Sequence, residues 1–438
     1  MHGGGHGGRQ EAEKRSEGQG VAKAQASRSC LTVNDVAHAV DGAARPAGQS
    51  AGYREKMIGG REQRRTKRYA EAAETFLAAA LIAREGEEER EALFQHATSL
   101  REANQVEAAD KAYRTLLGKY PSDALGWALY GTFLKNVARF GDAVEAFRRS
   151  LGIRDDISTR NALVMALYKA DRMDEAREEG RRSLQQKDAE AVAGFDKSAV
   201  LNPPPAGSLP FNPKTRGKNI IAFSLWGEDP VYVHGAIVNA QIAPHIYYGW
   251  TPRFYCDRSV PADALAELRR LGAQVILVED PALQAIRPMW RFLASDDPSV
   301  DWFICRDTDS RLNCQELIAV EEWLKSGLPF HVMRDHIYHV DLILAGMWGG
   351  RAGMLPNMKD ALLSSPRYFN NRFGDQHFLM ERVWPLIRDQ VLVHDSCYGF
   401  PGGKEFPSAY RLPHPLHVGG AVKQMSSWRV SPLSAPGF

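Results

Sequence analysis

A chain of 438 residues has room for two or three domains, and 44% hydrophobic with 25% charged residues is the composition of an ordinary globular protein. A formal net charge of +2 leaves no electrostatic footprint for nucleic acid, and no apolar run approaches the roughly 20 residues of a membrane span. The N-terminus lacks the apolar core of a secretory signal, and the five cysteines (Cys30, Cys256, Cys305, Cys314, Cys397) form no Cys-x-x-Cys pair, so reduced thiols in a cytoplasmic setting are expected.

Residues 1–65 are rich in Gly, Ala, Gln, Ser and charge, without sustained apolar periodicity, and are expected to be a disordered tail. His2 and His6 stand among glycines there and predict no specific metal site. The basic run from Arg61 to Arg68 reads as a solvated helix start.

Residues 66–190 read as helices carrying an internal repeat. Val106-Glu107-Ala108-Ala109, Phe140-Gly141-Asp142-Ala143 and Met173-Asp174-Glu175-Ala176 recur at an interval of about 34 residues. Tyr113 and Phe147 follow the first two, whereas Gly180 stands where the third should have its large residue. Trp127, Gly131, Leu134, Ala143 and Phe147 fall at tetratricopeptide spacing, and Tyr69, Ala72 and Phe76 look like the second helix of a worn first unit. The segment therefore resembles a tetratricopeptide array of about three units. Small alanines let helices approach, aromatic residues fill the gaps, and each hairpin buries its face on the next. The resemblance implies a peptide or protein partner; a helical spacer or dimerisation element is the other reading.

Residues 191–216 contain Asn202-Pro203-Pro204-Pro205 and Asn212-Pro213, which predicts a stiff linker. From 217 to 438 the period changes. Strand-like runs at 219–225, 253–256, 274–278 and 302–305 alternate with helical patterns near 232–246, 261–271 and 283–295. That order predicts a mainly parallel sheet with helices on both faces, and ligands at the carboxyl ends of the strands. A further strand-like run, Asp341-Leu342-Ile343-Leu344, precedes the glycine-rich Ala345–Gly350.

Asp307-Thr308-Asp309 closes the fourth of these strands. Carboxylates at i and i+2 of an extended segment face the same side, giving two hard oxygen ligands for Mg²⁺ or Mn²⁺ with room for phosphate oxygens. The alternative is a pair of turn residues ending a strand.

The order of these features resembles a GT-A glycosyltransferase of the glycogenin and lipopolysaccharide galactosyltransferase type. The likeness runs from Asn219 to Trp428, in the manner of bacterial proteins that fuse such a domain to tetratricopeptide repeats. It implies an α/β GT-A-like fold, a Rossmann-like mixed sheet, behind the all-α repeat segment. It implies that Asp307 and Asp309 bind metal and donor diphosphate. His417-Val418-Gly419-Gly420-Ala421-Val422-Lys423 matches the family's His-x-x-Gly-x-x-Lys, so His417 becomes the third metal ligand and Lys423 a phosphate contact. Trp428 lies further on than the family's usual aromatic residue. An imidazole ligand favours Mn²⁺ over Mg²⁺. Asp375-Gln376 matches the segment beneath the reacting sugar, giving both a catalytic place; a plain helix cap is the other reading of Asp375. Arg291 and Arg334 are expected on the donor phosphates, with His336, His339 and Trp348 lining the acceptor cleft. Arg306 and Arg311 flank the aspartates, either to offset their repulsion or to meet the donor.

The function expected is transfer of a sugar from a nucleotide-sugar donor to a glycan or protein acceptor. Two alternatives stand beside it. One is a non-catalytic tetratricopeptide scaffold with a degenerate transferase domain. The other is a metal-dependent nucleotidyl or phosphoryl transferase, weakened by the absence of a G-x-x-x-x-G-K-[ST] loop.

Overall fold

The computed structural model describes residues 51–205 and 210–422. The chain divides into two compact units between Ala176 and Arg177.

The first unit is helical: α1 (Ala51–Arg65), α2 (Tyr69–Ile82), α3 (Glu87–Glu102), α4 (Val106–Lys119), α5 (Ala124–Asn136), α6 (Phe140–Ile153), α7 (Ile157–Lys169) and the first turn of α8 (Met173–Ala193). They pair as hairpins α1–α2, α3–α4 and α5–α6, and a fourth turn leads from α7 into the first turn of α8. Each turn has one residue in the left-handed region: Lys67 (φ 61°), Asn104 (φ 58°), Ala138 (φ 62°) and Asp171 (φ 59°). The predicted spacing residues Ala72, Phe76, Ala109, Tyr113, Ala143 and Phe147 are all fully buried. Asp123 and Asp156 cap α5 and α7 by accepting from Gly126 N and Thr159 N.

Helix α1 corrects the expectation of a disordered tail over 51–65. Tyr53, Met57 and Gly60 lie on one face at helical spacing and are buried. A Cβ on Gly60 would sit 2.7 Å from the Phe76 ring, as one on Gly131 would sit 2.8 Å from the Phe147 ring. The same glycine-to-aromatic contact therefore builds the first hairpin and the third. The basic run closes this helix rather than opening one, with Arg64 paired to Glu102 at 2.8 Å. His2, His6 and Cys30 lie outside the described residues.

The second unit takes in residues 177–193 of α8 and an α/β domain. Its strands are β1 (Asn219–Leu225), β2 (Thr251–Cys256), β3 (Gln274–Leu277), β4 (Trp302–Cys305), β5 (Phe330–Arg334), β6 (Trp348–Arg351) and β7 (Val391–Asp395). They form one sheet in the order β3-β2-β1-β4-β6-β5-β7. The β1–β2, β2–β3, β1–β4 and β5–β7 pairs are parallel, while β6 runs antiparallel to both β4 and β5. All seven residues of β1 are buried, as a central parallel strand requires. Helices α9 (Pro230–Ile246), α10 (Ala262–Arg270) and α11 (Cys314–Ser326), with a 3₁₀ segment Pro281–Ser295, cover the sheet. The fold is thus an all-α repeat segment followed by an α/β domain with a mixed, mostly parallel sheet.

Two readings of this region change. Asp341–Leu344 is an irregular loop, not a strand. Leu342 and Ile343 are apolar because they plug the core as loop residues. The strand comes later, at Trp348–Arg351, where Gly349 lets β6 lie close to β4: a Cβ there would stand 2.5 Å from the Phe303 carbonyl. The proline segment is pinned rather than free-standing, since Asn202 N donates to Met354 O at 2.8 Å and Asn202 Nδ2 to Gly353 O at 3.1 Å.

Candidate functional site

At the carboxyl end of β4 the chain enters the loop 306–313. Arg306 N still pairs with Ala222 O at 3.0 Å, which fixes the loop's start beside β1. The Arg306 side chain turns into the core, where Nε donates to Glu316 Oε1 at 3.0 Å. Tyr247 donates to the same oxygen at 2.6 Å. Arg306 therefore neither offsets the aspartates nor faces a ligand. Asp307 turns outward, its side chain 44% exposed.

One face of α9 shapes this loop. Gly235 leaves room for the Thr308 carbonyl, which any Cβ would strike. One turn on, the fully buried Asn239 donates to Ser310 O at 2.9 Å and accepts from Leu312 N at 3.1 Å. On the other side Gly346 sits against the Asp307 carboxylate, again with no space for a Cβ.

Arg291 joins two of the predicted site residues. Its backbone N donates to Ser224 Oγ at 2.9 Å at the end of β1. Its guanidinium is buried, with Nη1 on Asp307 Oδ1 at 2.5 Å and Nη2 on Asp375 Oδ2 at 3.3 Å. Asp375 lies in the first turn of α13 (Gly374–Phe378); α12 is Met358–Leu363. It accepts from Gln376 N at 2.9 Å. Burial raises the Asp375 carboxyl above its ordinary range, Arg291 opposes the rise and Asp307 adds to it. One guanidinium between two carboxylates leaves a net negative charge, to which Asp309 adds.

A second wall is built from histidines. His336 stacks on His417 with ring centroids 4.3 Å apart, and His339 meets His417 edge-on at 4.9 Å. The segment carrying His417 is tied down at two points just after it. Val418 N donates to Asp335 Oδ2 at 2.9 Å, and Val422 N donates to the Asp309 carbonyl at 2.7 Å. His417 Nδ1 lies 3.0 Å from Val418 O, so the proton is on Nδ1 and the lone pair on Nε2. His336 and His339 are the reverse. Their Nδ1 atoms accept from Tyr338 N at 3.2 Å and Asp335 N at 3.0 Å, which puts the proton of each neutral ring on Nε2. Burial lowers the pKa of His339 and of His417.

Asp307, Asp309 and His417 thus lie on adjoining segments. Among the described residues, however, no group of three or more His, Cys, Asp or Glu is arranged to hold a metal ion. The predicted three-ligand set is therefore not gathered as such, and Asp307 commits one oxygen to Arg291 instead. Two carboxylates that share the cation with phosphate oxygens and water would still suit Mg²⁺ or Mn²⁺.

Two other predicted residues are placed elsewhere. Arg334 is fully buried, with Nε on Asp395 Oδ2 at 2.9 Å, Nη1 on Leu342 O at 2.9 Å and Nη2 on Phe400 O. Its donors are taken up inside the protein, so it is not on a donor phosphate. Trp348 is also fully buried, edge-on to Phe292 at 5.5 Å and to Phe303 at 5.2 Å. It is a core residue of β6 rather than a wall of an acceptor cleft. Gln376 is half-buried beside Asp375. Lys423 and Trp428 lie outside the described residues. The sequence reading missed Gly235 and Asn239, and had Gly346 only as one member of the glycine-rich Ala345–Gly350. The spacing of Gly235 and Asn239 by one helical turn was the available signal.

Four cysteines, Cys256, Cys305, Cys314 and Cys397, are free thiols. Burial pushes Cys256, Cys305 and Cys397 up to about 12, so these three are protonated and unreactive. No helix of the described residues is long and apolar enough to cross a membrane.

No family model matches the chain, and no curated protein matches it. Among solved structures, MamA shares 15% identity over 32% of this chain and 80% of its own, with a TM-score of 0.29. A MamA fragment from Desulfovibrio magneticus RS-1 shares 13% over 33% of this chain and 83% of its own, with a TM-score of 0.29. A putative kinesin light chain of Podosopora anserina, described as having nearly identical TPR-like repeats, shares 14% over 31% and 75%, with a TM-score of 0.28.

Proposed function

We propose that the α/β domain is a metal-dependent glycosyltransferase that moves a sugar from a nucleotide-sugar donor to a glycan or protein acceptor. The observation that carries this reading is the Arg291 bridge, which brings Asp307 and Asp375 together at the carboxyl end of β4. Asp307 and Asp309 would hold a Mg²⁺ or Mn²⁺ ion, with His417 Nε2 able to join as a nitrogen ligand. A bound divalent cation neutralises the charge of a departing diphosphate. Arg291 fixes the orientation of both carboxylates. Asp375, at the inner end of the bridge, would stabilise positive charge on a sugar ring during transfer. Lys423 and the repeats, as phosphate contact and acceptor or partner platform, complete the proposal.

The test is the thermal stability of the full chain against a panel of nucleoside diphosphates, with and without Mn²⁺. The expected result is a rise that needs both ligands, names the base, and disappears in Asp309→Asn. No rise with any diphosphate would remove the transferase reading.

A non-catalytic scaffold is the second reading. It is favoured by the pairing of Asp307 with Arg291 and by the absence of a three-ligand group among the described residues. Peptide binding without any metal or nucleotide response would support it.

A further inference from the structure

Gly180 breaks the repeat pattern, and the second unit explains why. A Cβ at position 180 would collide with the ring of Tyr398. Gly180, Leu184, Lys187 and Ala191 recur at i, i+4, i+7 and i+11, so they form one stripe of α8. Leu184, Lys187 and Ala191 on that stripe are buried. Beside it, Asp188 accepts from Trp384 Nε1 at 2.7 Å and pairs with Arg388 at 3.0 Å. From residue 177 on, the helix serves the α/β domain.

The stripe bears on the segment 335–345, which follows β5 without regular structure and carries His336 and His339. An irregular segment of that length needs anchors to hold one conformation. Asp335 is held at the start of the segment by Val418 N and Gln315 Nε2, and three residues bind the stretch 337–342 that follows. The buried Lys187 Nζ donates to Val340 O at 2.5 Å and to Asp341 Oδ1 at 2.6 Å. Tyr398, packed on Gly180, donates its hydroxyl to Ile337 O. Arg334 donates to the carbonyls of Asp341 and Leu342. Of these, the ammonium of Lys187 alone comes from outside the sheet and its loops.

We propose that Lys187 is a positioning residue, holding segment 335–345 so that His336 stacks on His417 and His339 meets it edge-on. The gap at Gly180 is the sequence mark of this second duty of α8. The proposal rests on the histidine wall belonging to the site proposed above, but the clamp itself is measured without any nucleotide.

The test compares the full-length chain with Lys187→Met, Lys187→Arg and Gly180→Ala by hydrogen exchange and by imidazole nitrogen NMR. In Lys187→Met, amide exchange over 335–345 is expected to rise at least tenfold while β1 and β4 keep their protection. The His336 and His339 nitrogen signals should move with it. Lys187→Arg keeps the cation and should restore most of both. Gly180→Ala changes no charge and should loosen the same segment by displacing Tyr398. The proposal is overturned by unchanged exchange over 335–345, by a uniform rise across the domain, or by faster exchange with unmoved imidazole signals. If the wild-type chain shows no diphosphate response, the transferase reading fails while the exchange result still decides the clamp.

Discussion

Asn239 is buried and satisfies two backbone groups of the loop that carries the aspartates, Ser310 O and Leu312 N. Asn239→Ala leaves Leu312 N without this partner, while Ser310 O keeps its bond from Arg311 Nη1 at 3.0 Å. An orphaned buried polar group costs about 1–3 kcal/mol, and urea unfolding should show a loss in that range. Any Mn²⁺-dependent diphosphate response should weaken as well, because the loop is no longer held. Gly346 separates these two effects. A methyl group there meets the Asp307 carboxylate directly. Gly346→Ala should therefore abolish the diphosphate response while lowering stability less than Asn239→Ala does. Equal losses in both measurements for both variants would contradict this division. At this scale the sequence exposed the charged residues and hid their supports. Asp307, Asp309, Asp375 and Arg291 stand out by type and place. Asn239 and Gly346 act only through what the fold brings to them.

The helical hairpins repeat one contact, glycine against an aromatic ring, at Gly60–Phe76 and Gly131–Phe147. Filling that space over-packs the core, at a typical cost of about 1–3 kcal/mol. Gly60→Ala and Gly131→Ala should each destabilise by that amount in denaturant. Gly118, near the end of α4, has open space around its Cβ position. Gly118→Ala should leave stability unchanged or raise it by up to about 1 kcal/mol, since alanine is the better helix former. Destabilisation at Gly118 equal to that at Gly131 would show that contact with an aromatic ring is not what sets the cost at these sites. The array was largely legible, since Ala109, Ala143, Tyr113 and Phe147 announce it by spacing. Helix α1 was not, because its buried stripe of Tyr53, Met57 and Gly60 is diluted by Arg54, Lys56, Arg61 and Arg64. Only its partner Phe76 shows what Gly60 is for.

Across the molecule, buried neutral histidines tie stability to pH. His331 and His394 form a chain under β5 and β7. His331 Nε2 lies 2.8 Å from His394 Nδ1, and His394 Nε2 lies 2.9 Å from Glu322 Oε2. Burial lowers His331 well below its ordinary 6.5, with His394 and Arg306 adding to the shift. Burial likewise lowers His394 and, in the helical unit, His96. A histidine with a depressed native pKa is protonated more readily in the unfolded chain. Its contribution is therefore complete above about 6.5 and is lost as pH falls below that value. The melting temperature should drop between pH 7 and pH 5. His331→Phe keeps a ring to stack on Trp323 and removes one such group, so its drop should be shallower, though it melts lower at pH 7. A drop as steep as wild type would place the pH sensitivity elsewhere.

The sequence by itself determined the order of parts: a helical repeat, a proline-rich joint, and strands alternating with helices whose fourth member ends in Asp-x-Asp. Those are local facts, carried by periodicity, small and large residues at fixed intervals, and turn chemistry. Tertiary structure decided what each polar residue does. Arg334 and Arg306 read as cleft cations yet are buried on Asp395 and Glu316, while Arg291 reaches Asp307 and Asp375. It also decided that Asp341–Leu344 is a loop and that β6 runs antiparallel between β4 and β5. The reason is physical. An arginine carries the same charge wherever it stands, but only the approach of segments distant in sequence supplies the carboxylate or carbonyl that fixes its role.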